Sequence, residues 1–221
     1  MFLNLEKTGL WKIAAHSERR ALQRLLLGWV ALTLAACAGQ QSQPQPRPPI
    51  AAESPAAQLQ HWTINGKLGV RSPGENGSAN LQWWQRTAQN YRIHLSGPLG
   101  AGTTVITGTP AGVTLQKGGE VPLQAATPAE LTAEILGWPL PVAEMYYWVR
   151  GMAAPDAPVE GQQKGGQGQL QSLQQAGWNL NFSGYQNVGA YVLPTRIVAE
   201  TRQAAGPVKV TLVIKEWLPQ N

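Results

Sequence analysis

The chain has 221 residues, a single cysteine, and 17 Lys/Arg against 12 Asp/Glu. One cysteine excludes an intramolecular disulfide framework. The excess positive charge lies at the front: residues 1–36 hold five Lys/Arg and two Asp/Glu, which leaves 12 and 10 beyond them. Those remaining charges are scattered, without the basic stripe that nucleic-acid binding requires, so no nucleic-acid partner is expected. At the start of the chain, Lys7, Lys12, Arg19, Arg20 and Arg24 precede LLLGWVALTLAA, an apolar run of 12 residues at 25–36. That run is too short for a membrane-spanning helix, which needs ~20 residues. A basic flank, a short apolar run and small residues at its end predict a secretory signal over residues 1–36.

The signal ends in Leu34-Ala35-Ala36-Cys37, which resembles the lipobox of bacterial lipoproteins. The resemblance implies cleavage before Cys37 and acylation of its thiol, making Cys37 the lipidation site. Residues 37–58 follow as a tether: five prolines and five glutamines fall between Ala38 and Gln58. Such a segment cannot bury a core, and in polyproline II geometry, at ~3.1 Å per residue, it reaches up to roughly 60 Å.

Residues 59–221 have the length of one domain, and most of the stretch alternates. Trp62, Ile64, Leu68 and Val70 share one face, with Gly66 between them. After the turn SPGENGS come Leu81 and Trp83, then Tyr91, Ile93 and Leu95 opposite Arg92, His94 and Ser96. Val113 and Leu115 alternate with polar residues, as do Trp178, Leu180 and Phe182, and Val208, Val210, Leu212 and Ile214 near the end. Period-two patterning broken by turn signals predicts antiparallel strands with one dry and one wet face. Many such strands in one chain favour a strongly curved sheet or barrel over a flat one.

The middle of the domain departs from that period. Thr127-Pro128-Ala129-Glu130 is a capping box with proline at the first helical position, and the predicted helix runs through Leu131, Ile135 and Leu136 to a stop at Gly137. After WPLP a second helix is predicted from about Val142 to Arg150, ending at Gly151. Two short helices in a β-rich chain must cover an open face of the sheet. The Gly/Gln-rich EGQQKGGQGQ that follows reads as a hairpin connection.

No enzymatic constellation stands out. His61 and His94 are each isolated in strand patterns, and no H-E-x-x-H, G-x-S-x-G or P-loop is present. The expectation is a protein that is not an enzyme, with no metal site and no cofactor. What the domain does carry is apolar bulk, including Trp62, Trp83, Trp84, Trp138, Trp148, Trp178 and Trp217. The pattern alone allows two readings: a filled core, as in a structural or scaffolding lipoprotein, or an apolar cavity between a curved sheet and its helical cover. If a cavity exists, the pattern nominates Trp83, Ile93, Leu95, Trp148, Phe182 and Leu212 to line it.

The strand WTINGKLGV, the run LQWWQ followed by YRIHLSGPLG, the segment GWPLPVAEMYYWVRG and the closing VKVTLVIKEW together resemble the LolB family of outer-membrane lipoprotein receptors. The resemblance covers the whole domain from Leu59 onward. It implies a mainly β fold with short helices: a half-open antiparallel barrel around an apolar cavity, covered by a helical lid. It implies a monomer, lipid-anchored in the outer membrane and facing the periplasm, that accepts acylated lipoproteins from the carrier LolA and inserts them into the inner leaflet of that membrane. Ala38, after the lipidated cysteine, is compatible with that destination by the family's sorting rule. It also implies that the loop Gly97-Pro98-Leu99-Gly100 protrudes and that Leu99 touches the membrane.

Overall fold

The computed structural model describes residues 55–97 and 102–220. Cys37, Pro98, Leu99 and Gly100, together with the expected signal and most of the expected tether, lie outside the described residues. A short 3-10 helix, Pro55–Gln58, leads into β1 (Trp62–Arg71), β2 (Asn76–Gln85) and β3 (Tyr91–Ser96). β4 (Thr103–Thr109), β5 (Gly112–Lys117) and β6 (Leu123–Ala125) follow. Two helices come next, α1 (Pro128–Leu136) and α2 (Val142–Trp148). The chain closes with β7 (Val159–Lys164), β8 (Leu170–Gln175), β9 (Trp178–Val188), β10 (Tyr191–Gln203) and β11 (Gly206–Pro219).

All eleven strands form one sheet in the order β6-β5-β4-β3-β2-β1-β11-β10-β9-β8-β7. Every neighbouring pair is antiparallel. The first and last strands meet in the middle, from Trp62 opposite Pro219 to Arg71 opposite Lys209. That register slips at Asn65/Gly66. A Cβ on Gly66 would fall 2.0 Å from the Val213 carbonyl oxygen, so only glycine permits the close approach at this bulge.

The sheet does not close on itself: β6 and β7 remain as edges. It does curl. β5 and β11 stand five strand spacings apart, which is about 24 Å in a flat sheet, yet Val113 and Leu212 line one cavity. The concave face carries the core. Trp62, 0% exposed, packs edge-on against Trp83 at 5.1 Å and Trp217 at 5.4 Å between ring centroids, an arrangement that suits aromatic quadrupoles.

Both helices lie where the sequence predicts. Thr127 accepts a hydrogen bond from the Glu130 N–H and Glu130 reciprocates, while Gly137 ends α1 in the left-handed region at φ 76°. The Thr132 hydroxyl donates to the Pro128 carbonyl at 2.9 Å and accepts from the Leu140 N–H at 2.8 Å, which ties α1 to the turn before α2. One expectation needs correction. EGQQK is not part of a loop connection but forms most of edge strand β7, and only the residues between Lys164 and Leu170 make the turn to β8. An edge strand packs against little, so it needs no apolar alternation.

Candidate lipid-binding cavity

Alternation along the strands aims one set of side chains inward. Leu68 and Val70 on β1, Leu81 and Trp83 on β2, and Ile93 and Leu95 on β3 form one wall of a cavity of about 380 Å³. Ile106 on β4 and Val113 and Leu115 on β5 continue it, and Val210 and Leu212 on β11 close the far side. The roof is helical: Leu131, Ile135 and Leu136 from α1, Trp138 and Leu140 from the turn, and Val142 and Met145 from α2. The volume lies within the range of small-molecule sites.

The lining carries two ionisable side chains, Glu75 and Lys117, and both are exposed. They stand with Gly77 and Ser78 at one end of the sheet, where the β1–β2 turn and the end of β5 meet solvent. This end is the mouth. The inner wall offers almost nothing to hydrogen-bond, so polar ligand groups would be stranded there while hydrocarbon would be welcome.

The nominated residues divide. Trp83, Ile93, Leu95 and Leu212 line the cavity. Trp148 instead lines an adjoining crevice of about 20 Å³ with Trp178, Leu180 and Ile197, which shares Met145, Val210 and Leu212 with the cavity, and Phe182 is buried in the main core and lines neither space. The reason is the path of α2. Its C-terminal turn fills the half of the barrel made by β8, β9 and β10, so hydrophobic alternation there builds core rather than void. The roof residues of α1 and Ile106 of β4 escaped the sequence-based nomination.

The fixing of α2 is unusually polar for a buried element. The Gln175 side chain is fully buried; its oxygen accepts from Trp148 Nε1 and the Ala154 N–H, each at 2.8 Å, and its nitrogen donates to the Ala154 and Ala157 carbonyls, each at 2.8 Å. The amide's bonding capacity is used in full. Arg150, just past α2, is 2% exposed and lies 4.0 Å over the Tyr146 ring. Burial pushes its pKa below the ordinary arginine value. Burial likewise pushes Tyr91 up to about 12 and raises Tyr185, but none of these groups lines the cavity. Among the described residues no group of three or more His, Cys, Asp or Glu could hold a metal ion, and no helix is long and apolar enough to cross a membrane.

Gly97, the one described residue of the nominated loop tip, donates its N–H to the Gly102 carbonyl at 3.2 Å. Strands β3 and β4, which bracket that loop, meet at the mouth end.

The chain is similar in sequence to known proteins over most of its length. The family model described as "Outer membrane lipoprotein LolB" matches residues 60–217. The outer-membrane lipoprotein LolB of Cellvibrio japonicus is 42% identical over 203 residues, covering 89% of this chain and 98% of the relative. That of Pseudomonas fluorescens is 43% identical over 163 residues, covering 74% of this chain and 77% of the relative. Among solved structures, a LolA superfamily protein from Nitrosomonas europaea aligns at a TM-score of 0.45 and 8% identity, covering 74% of this chain and 87% of that one. With a family match over residues 60–217 and relatives above 40% identical, the chain belongs to the LolB family of outer-membrane lipoproteins.

Proposed function

We propose that this protein, as a monomer lipid-anchored through Cys37 and facing the periplasm, accepts acylated lipoproteins from the carrier LolA and inserts them into the inner leaflet of the outer membrane. The observation that carries the reading is the cavity: about 380 Å³, walled by aliphatic and aromatic side chains, with its charged residues confined to the mouth. A protein that only braces an envelope complex has no use for such a void, which forfeits packing contacts. A buried methylene is worth ~0.8 kcal/mol, so a 16-carbon chain carries on the order of 12 kcal/mol and cannot cross water freely at useful rates. It must pass from one apolar container to the next and then to the bilayer.

In this reading Leu99, set between Gly97-Pro98 and Gly100, is the membrane-touching tip. Burying one leucine is worth ~1.5–3 kcal/mol, too little to anchor the protein but suited to a brief contact. The test is a transfer assay with carrier loaded with acylated lipoprotein, comparing wild type with Leu99→Glu. Uptake from the carrier is expected in both and insertion into vesicles only in wild type. If wild-type protein takes up no acylated cargo, the reading is wrong; if Leu99→Glu inserts as well as wild type, the role given to Leu99 is wrong.

A further inference from the structure

We propose that Val121, on the turn between β5 and β6, is a second lipid-contacting residue at the cavity mouth, separate from the β3–β4 loop. The inference rests on the reading that cargo leaves through the mouth toward a bilayer. Val121 is 84% exposed, and it stands four residues after Lys117, which lines the mouth itself.

The turn that displays it is held firmly. The Gly118 N–H donates to the Thr103 carbonyl at 2.8 Å, which joins this turn to the base of the β3–β4 loop. The Glu120 N–H donates to the Lys117 carbonyl at 3.0 Å. From the strand below, the Gln116 side-chain nitrogen donates to the Glu120 carbonyl at 2.6 Å and the Gly118 carbonyl at 3.2 Å. A turn fastened at these points loses little freedom when its tip is buried. Pro122 follows directly and has no N–H, so one backbone donor fewer must be desolvated on entering a headgroup layer.

The partner is a lipid surface because of where the chain attaches. The 3-10 helix Pro55–Gln58 and the start of β1 lie at the end of the sheet opposite the mouth, since Trp62 pairs with Pro219 and Gln85 while Arg71 pairs with Lys209 and Asn76. The tether therefore does not by itself turn the mouth toward the membrane. Seventeen residues separate Cys37 from Pro55, an extended reach of about 50 Å. That exceeds the height of a ten-residue strand, about 33 Å, so the mouth can meet the bilayer that holds the anchor. Apolar side chains at the mouth supply the orientation that the tether lacks.

An internal control exists. Val192, 47% exposed, opens β10 at the opposite end. The mature acylated protein is placed on phosphatidylethanolamine–phosphatidylglycerol vesicles containing brominated lipid, with an environment-sensitive fluorophore on Val121→Cys or Val192→Cys; acylation of Cys37 leaves each new thiol the only free one. Strong quenching at position 121 and little at 192 is expected. In cargo transfer, Val121→Glu is expected to keep uptake from the carrier within twofold of wild type and to lower insertion about tenfold, as for losing one buried valine. No quenching at 121, equal quenching at 192, or undiminished insertion by Val121→Glu overturns the proposal. The quenching arm contains no cargo, so it can fail while uptake succeeds, which separates this proposal from the function it builds on.

Discussion

Replacing Arg150 with methionine tests how the cover is held in place. The guanidinium donates from Nε to the Tyr146 carbonyl at 3.0 Å and from Nη1 to the Leu59 carbonyl at 2.9 Å, with a longer contact of 3.4 Å to Ala56. It thus joins the end of α2 to the segment that leads into β1. It lies over Tyr146 at 4.0 Å and Tyr147 at 5.2 Å, and it forms no ion pair: among the described residues the salt bridge is Lys209–Glu200. Its Nη2 is buried without a hydrogen-bond partner there. Two good charge-assisted hydrogen bonds are worth ~1.5–3 kcal/mol each and a desolvated cation–π contact ~2 kcal/mol. Against these stands a desolvation penalty of several kcal/mol that methionine relieves. The carbonyls left without donors make the balance unfavourable, and Arg150→Met is expected to lose about 3 kcal/mol. For a domain of this size that lowers Tm by roughly 10 °C, readable by tryptophan fluorescence in a thermal or urea melt. Cleavage near residues 55–59 in limited proteolysis should rise in parallel. A variant as stable as wild type would refute the reasoning and mean that desolvation outweighs the bonds.

Two further outcomes follow from the cavity and the core. Ala79 lines the cavity near its mouth and is half-buried, so Ala79→Trp has room to project inward; it is expected to lower uptake of acylated cargo severalfold while moving Tm by only a few degrees, measured in the transfer assay and a melt. The Tyr91 hydroxyl is buried without a partner among the described residues, and burial raises its pKa from 10.0 to about 12. The native state therefore keeps a proton that the unfolded chain gives up near pH 10. This contribution to stability is fully present below pH 10 and is lost as pH rises toward 12. Tyr91→Phe should leave neutral-pH stability equal or slightly higher and flatten that part of the alkaline decline, as followed by urea melts between pH 8 and 12.

The strands easiest to read from sequence are those with one dry face: β1, β2, β3, β5, β9 and β11 all show the period-two pattern in their apolar residues. The others are hidden for separate reasons. In β4, Val105 and Ile106 are adjacent, and only Ile106 lines the cavity, so apolar residues on both faces blur the period. β7 is polar throughout after Val159, and β10 contains Pro194, whose carbonyl accepts from Trp217 Nε1 at 3.0 Å. The cavity was legible in its β2 and β3 wall and in Leu212, because alternation states which face is dry. It does not state where dryness is filled: Phe182 satisfies the same pattern but sits in the half of the barrel that α2 packs, and Trp148, the last residue of α2, is part of that packing. That depends on helix placement, and helix placement depends on Arg150 and Gln175, two polar residues inside an apolar pattern. Val121 was illegible for the opposite reason, since a single valine in a turn has no period at all.

The physical chemistry of the wall bears on how a receptor without a nucleotide motif could both take and release hydrocarbon. The inner lining is mostly aliphatic and aromatic, with Thr104 and Thr132 among its few polar members, so a cargo chain has little to break on leaving beyond apolar contact. Affinity is then set by how much of the chain the cavity covers. At ~0.8 kcal/mol per methylene and 1.4 kcal/mol per tenfold, two methylenes left protruding at the mouth change the equilibrium by about tenfold. A cavity that shields slightly more of the cargo than the donor does, yet less than a bilayer, drives transfer in one direction without an energy source. A fixed volume achieves such fine adjustment only if its walls stay put. The buried amide of Gln175 and the guanidinium of Arg150, costly as each is to desolvate, hold α2 at a set height above the sheet. On the proposed role, walls held in this way would keep the covered length of chain constant from one cargo to the next.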